Sequence, residues 1–202
     1  MNRVRTVMTW PLPGIVALAV ALHSQAQTVS SPAWPAKPLR LIVPFGAGGA
    51  ADTFGRLLSA RLPESLGQPV IADNRAGAGG LIGAELAVKS PADGYTLVIS
   101  GIASHVLAPT LASKASFDPL RDATHIALFG GAPAVFGVHP SLPARVLREF
   151  VSFAKARPNE LVYGSPGNGT LGHLFGVLFT SRAGISLGHV PYKSASGAVV
   201  DV

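Results

Sequence analysis

The 202-residue sequence contains no cysteine, which excludes disulfides, thiolate nucleophiles and cysteine-ligated metals at once. It also lacks any apolar run long enough to cross a bilayer, the best being PLPGIVALAVAL at 11–22, broken by Pro11, Pro13 and Gly14. The histidines at 105, 125, 139, 173 and 189 show neither H-x-H nor H-E-x-x-H spacing, so no metal motif is present. GSPG at 164–167 is not G-x-S-x-G, because Tyr163 stands where the nucleophile elbow needs its first glycine. No pair of carboxylates is spaced for acid and base work. The expectation is a chain that is not an enzyme and carries no cofactor.

No acid occurs in MNRVRTVMTW, which holds Arg3 and Arg5. Basic residues, a short apolar run and then small Ser24 and Ala26 form an export signal, with cleavage expected after Ala26 and a periplasmic destination. Two of the 16 bases lie in that signal, leaving 14 against 10 acids. The remaining bases are scattered, without interleaved aromatics, so nucleic acid is not an expected partner. A mild positive field still suits a small anion.

What the sequence has is alternation. Short apolar runs at 39–43, 69–72, 95–100, 134–138, 161–164 and 187–191 read as strands. Between them lie stretches of helical period: Ala51, Phe54, Leu58 and Leu62; Leu147, Phe150, Val151 and Ala154; Leu171, Leu174, Phe175 and Leu178. Such β and α units imply an α/β fold with parallel sheets. Ligands of such folds lie beyond the carboxyl ends of the strands, and the loops there are PFGAGGAAD, DNRAGAGG, SGIASH, GSPGNGT and PYKSASG. All five are rich in glycine or small polar residues.

Two chemistries compete for these loops. Gly46, Gly48 and Ala51 satisfy G-x-G-x-x-A, and Asp73 follows 22 residues later, the spacing of a dinucleotide fingerprint. Pro44 and Phe45 separate strand from glycines, however, the second loop is itself glycine-rich, and export leads away from nicotinamide cofactors. The alternative is a carboxylate gripped by main-chain N–H groups. The first N–H groups of a helix lack internal partners and together carry about half a positive charge. On this reading Gly48 and Gly49 bare their amides, Phe45 walls the ligand, and Asp52 caps the helix. Asn74 and Arg75 precede a second helix start, with Arg75 at the surface. Asn168 tolerates a left-handed backbone, Gly169 bares an amide, Ser165 and Thr170 supply hydroxyls, and His173 either donates to ligand or packs on Tyr163. Four or five charge-assisted bonds of about 1.5–3 kcal/mol, less ordering costs, leave about −8 kcal/mol, roughly micromolar affinity.

The motifs WPAKPLRLIVPFGAGGAADTFGRLL, GQPVIADNRAGAGGLIGAELAVKSPADGYTLVIS, ASH and FDPLRDATHIAL, LVYGSPGNGTLGHL and HVPYK occur in this order. Together they make the chain resemble the extracytoplasmic solute receptors of tripartite tricarboxylate transporters, the Bug proteins. The resemblance implies a two-lobed periplasmic binding fold of type II that closes on a small carboxylate and delivers it to membrane transporter subunits, acting as a monomer. By position it assigns ligand binding to Phe45, Gly48, Gly49, Ser104 and His105 in the first lobe and to Ser165, Asn168, Gly169, Thr170 and His173 in the second, with Tyr192 and Lys193 beside them. The expected division is a signal at 1–26, a linker at 27–37, a first lobe at 38–131 and a partial second lobe at 132–202. Against the family pattern, SASGAVVDV follows PYK and the chain stops at Val202, so the resemblance implies a C-terminally truncated receptor with exposed apolar surface. The rival reading is an exported α/β oxidoreductase or hydrolase using the same loops.

Overall fold

A strand apolar on both faces belongs in the middle of a parallel sheet, and Leu39–Val43 (β1) takes that place. The computed structural model describes residues 33–112, 116–131 and 133–202. The signal expected at 1–26 and most of the 27–37 linker lie outside the described residues. Strands Val70–Asn74 (β2) and Thr96–Val98 (β3) flank β1 in the order β2-β1-β3, with Leu39 opposite Val70 and Arg40 opposite Thr96, all parallel. Leu39, Leu41, Ile42 and Val43 are at most 2% exposed, and each such burial stabilises by about 1.5–3 kcal/mol.

The first helix among the described residues, Ala50–Leu66 (α1), lays Ala51, Leu58 and Leu62 of the expected stripe, together with Leu66, on that sheet, while Phe54 meets the Phe129 ring at 5.2 Å instead. It ends at Gly67, whose left-handed φ of 67° suits a residue without Cβ. Gly55 sets how close the helix lies: a Cβ there would stand 2.7 Å from Val43 Cγ2. Helix Leu81–Val88 (α2) follows β2. Its sequence, LIGAELAV, is apolar nearly all round and so carries no helical period. After β3 a π-helical turn, Ala103–Leu107, runs into Ala108–Leu111 (α3).

The second sheet has two parallel strands, Val162–Ser165 (β4) and Gly188–Pro191 (β5), with Ser165 opposite Pro191. Helices Leu147–Lys155 (α4), Leu171–Ala183 (α5) and Ala195–Val200 (α6) accompany it. Glu149 closes the start of α4 by accepting the Arg145 N–H at 2.7 Å, and Thr170 and Ser194 cap α5 and α6. A trio of rings, Phe136, Phe150 and Phe179, joins α4 to α5 with centroids 5.2 to 6.2 Å apart. Residues 35–202 form one compact unit, and no helix among the described residues is long and apolar enough to cross a membrane.

One expected strand is absent. Residues 134–138 carry no strand assignment, and Val135 is 88% exposed. A strand persists only where its N–H and C=O groups meet a neighbouring ladder. Among the described residues none pairs with this run, though Phe136 reaches the rings of Phe150 and Phe179.

Candidate functional site

The loop leaving β1 is organised by one carboxylate. Asp52, in the first turn of α1 and 3% exposed, accepts the Gly48 N–H at 2.9 Å, Arg56 Nε at 2.8 Å and Asn74 Nδ2 at 2.9 Å. Asn74 also donates to the Phe45 carbonyl at 3.0 Å, tying the ends of β1 and β2 together. Burial by itself raises the Asp52 carboxyl, but the bonds from Arg56, Gly48 and Asn74 outweigh it and hold the group below the ordinary carboxylate range. The Gly48 amide, expected to be bare, is therefore occupied by the protein's own anion. The N–H groups of Gly49 and Ala50 have no acceptor among the described residues, as the first donors of a helix ordinarily lack one within it.

The loop after β2 carries positive φ at four consecutive residues, Gly77, Ala78, Gly79 and Gly80. A Cβ on Gly79 would lie 2.6 Å from the Asn168 carbonyl oxygen, and one on Gly80 would meet Ser104 Cβ at 2.7 Å and Phe45 Cζ at 3.0 Å. Phe45, Ser104 and Asn168 therefore converge on this loop from three elements. Gly169 joins them beside Leu111.

Across the cleft the hydroxyls turn inward. Ser165 Oγ, buried at the end of β4, lies 2.7 Å from His189 Nε2 and accepts the Gly167 N–H at 3.2 Å. Thr170 Oγ1 donates to the Gly167 carbonyl at 2.7 Å. Both were expected to offer their hydroxyls outward; instead they brace the Gly167 turn. Asn168 is not left-handed, since Gly167 (φ 127°) and Gly169 (φ 74°) on either side absorb the turn. Nor is the Gly169 amide bare: it donates to His173 Nδ1 at 3.2 Å. His173 stacks on His189 at 4.3 Å, and His189 on Tyr163 at 4.8 Å. The contact expected between His173 and Tyr163 is a hydrogen bond from the phenol to the His173 carbonyl at 3.2 Å. Burial, then the neighbouring His173, holds His189 below the ordinary imidazole value.

His105 stands apart from this convergence. It is 3% exposed, with Nδ1 2.9 Å from Ser104 Oγ, Nε2 without a partner among the described residues, and its ring edge-on to Phe117 at 5.9 Å. It lines a separate cavity of about 800 Å³ with Ile102, Val106, Pro109, His125 and Leu128. Asp73, the would-be ribose acid, is ion-paired with Arg40 at 2.5 Å and Arg75 at 2.9 Å. Arg75, read as a surface residue, is half exposed while making that pair.

Sequence reasoning placed Tyr192 and Lys193 beside the site but gave no role to the serines that follow them before α6. The Gly46 N–H donates to the Lys193 carbonyl at 2.9 Å, and Ser196 Oγ to the Ala47 carbonyl at 2.8 Å. Ser194 and Ser196 in PYKSASG were the available signal, since a serine just ahead of a helical run is a ready cap, the place Ser194 takes. Tyr192 N–H bonds the Ser165 carbonyl at 2.9 Å.

A family described as tripartite tricarboxylate transporter family receptor matches residues 54–202. Protein BugT of Bordetella pertussis is 36% identical over 192 residues, covering 95% of this chain and 59% of that protein. A UPF0065 protein in the tcbD-tcbE intergenic region of a Pseudomonas species is 35% identical over 95% of this chain and 56% of its own length. Among solved structures, Rpa4515 of R. palustris with adipate superimposes with a TM-score of 0.79 at 37% identity, over 83% of this chain and 56% of that one. MatC of Rhodopseudomonas palustris with bound malate gives 0.76 at 28% identity, over 83% and 57%. The chain thus spans somewhat more than half the length of the relatives it matches.

Proposed function

The chain belongs to the tripartite tricarboxylate transporter receptor family, and from that premise we propose that it captures a small organic carboxylate in the periplasm for delivery to membrane transporter subunits. The observation that carries the reading is the convergence of loops from the ends of β1, β2 and β4 with the turn after β3. There Phe45, Gly79, Gly80, Ser104 and Asn168 meet, and the loop that carries Phe45 runs on to the open amides of Gly49 and Ala50. A carboxylate bound there takes its bonds from main-chain N–H groups at the start of α1, where the helix field favours an anion. Fewer amides are open than the sequence implied, because Asp52 and His173 hold those of Gly48 and Gly169. Phe45 and Ser104 shape the first side, and Ser165, Thr170 and His173 brace the Gly167–Gly169 turn of the other. The first lobe is 38–131 and the second begins at 132. The 1–26 segment directs export and is removed after Ala26.

Adipate and malate, the solutes of two structural neighbours, are the natural probes. Isothermal titration of the chain is expected to show saturable heat with one of them at about micromolar affinity, and none with a nicotinamide dinucleotide. Saturation by the dinucleotide alone would favour the oxidoreductase reading instead, against which the ion pairing of Asp73 already argues.

A further inference from the structure

The loops that leave the two sheets are clasped to one another. Gly46 N–H to Lys193 O (2.9 Å) and Ser196 Oγ to Ala47 O (2.8 Å) both run from the turn after β1 to the turn after β5. The Ser196 hydroxyl is steered by Ser194 Oγ at 2.8 Å, and Ser194 is itself fixed by accepting the Gly197 N–H at 3.3 Å. Gly48 is shaped to receive this clasp. Its φ is +80°, and a Cβ on it would stand 2.9 Å from Ser196 Oγ and 3.1 Å from Ser196 Cβ. No charged group takes part, so the clasp is weak in the way a reversible closure requires. One neutral hydrogen bond changes an equilibrium by about two- to tenfold.

We propose that the Gly46–Gly48 turn and the Lys193–Ser196 turn form a latch between the two sheets, with Ser196 as a positioning residue for solute capture. The solute half of this statement rests on the receptor reading above; the latch itself does not. With Ser196 in place the two turns close over the start of α1, where the Gly49 and Ala50 amides lie. With its hydroxyl removed the sheets separate more readily and a captured anion escapes sooner.

The absence of native cysteine allows two labels to be placed cleanly, at Arg61→Cys on α1 and Arg182→Cys on α5. Spin-label distances in the full chain without solute are expected to show one short population. Ser196→Ala and Gly48→Ala, which attack the clasp from opposite sides, are each expected to add a longer one, while the control Ser181→Ala does not. Malate or adipate, whichever binds, is expected to dissociate about two- to tenfold faster from Ser196→Ala with association no slower than the parent's, a split that loss of general stability would not produce. Ser196→Ala deletes one partly exposed oxygen, so its circular-dichroism melt should match the parent. Distance distributions of both variants that superimpose on the parent's overturn the latch. A parent chain that binds neither solute overturns the receptor reading instead and leaves the distances to decide the latch.

Discussion

Asp52 does at residue scale what a ligand was expected to do. Its carboxylate takes the Gly48 amide, and Arg56 and Asn74 hold it there. Asp52→Asn is expected to destabilise the chain by about 1–3 kcal/mol at neutral pH, through loss of charge-assisted bonds in a buried setting, as read from urea denaturation midpoints. The pH dependence follows from the lowered carboxyl. A group whose folded value lies below its unfolded value of about 3.9 contributes stability above that value and loses it as pH falls through the folded one. The gap between parent and variant should therefore narrow on acidification below about pH 4. A gap that stays constant from neutrality to pH 3 would show that Asp52 is not ionised against these partners. The histidines act one step higher on the pH scale. His189 and His105 are both lowered, chiefly by burial, so protonation favours the unfolded chain. Their contribution is whole above about pH 6.5 and declines as pH falls below it. His189→Gln keeps an amide for Ser165 and removes the charge, so thermal melts between pH 7.5 and 5 should flatten relative to the parent.

At the scale of elements, what was legible in the sequence depended on whether an element's signal was local. β1 could be read because both of its faces are apolar, and α1 because Ala51, Leu58 and Leu62 repeat with helical period and all pack on the sheet. The order of glycine loops at strand ends was legible for the same reason, since glycine marks the turn itself. The run 134–138 was not, because apolar alternation says nothing about whether a neighbouring ladder exists. The amides of Gly48 and Gly169 failed differently. Their occupants, Asp52 and His173, each lie four residues further on, and which acceptor claims an amide is decided by side-chain direction that spacing does not encode. Gly55 marks where packing outweighs propensity. Gly55→Ala should gain up to about 1 kcal/mol of helix propensity, yet its Cβ would collide with Val43 at 2.7 Å, and overpacking costs about 1–3 kcal/mol. A net loss of stability in denaturant melts is expected; a gain would mean that α1 slides freely over β1.

The whole molecule carries an imbalance between its two sheets. Around β1 the core is closed, whereas α5 has no buried residue and Phe175, Val177 and Leu178 are each about half exposed. Leu128 is 96% exposed and Val135 88%, within a segment that leads from the first sheet to the second. Large apolar side chains left this exposed favour association unless something covers them, which sets them against the monomer implied by the family resemblance. The sheet cores need not change for this surface to matter, because its residues contribute little to them. Sedimentation velocity on the 202-residue chain is therefore expected to show association that rises with concentration. Leu128→Asp combined with Val135→Asp should shift the distribution toward the monomer while leaving the melting temperature within a few degrees, since both side chains already face water. A parent chain that stays monomeric at high concentration would mean that these residues find cover within the molecule, and in that case the double substitution should lower the melting temperature instead.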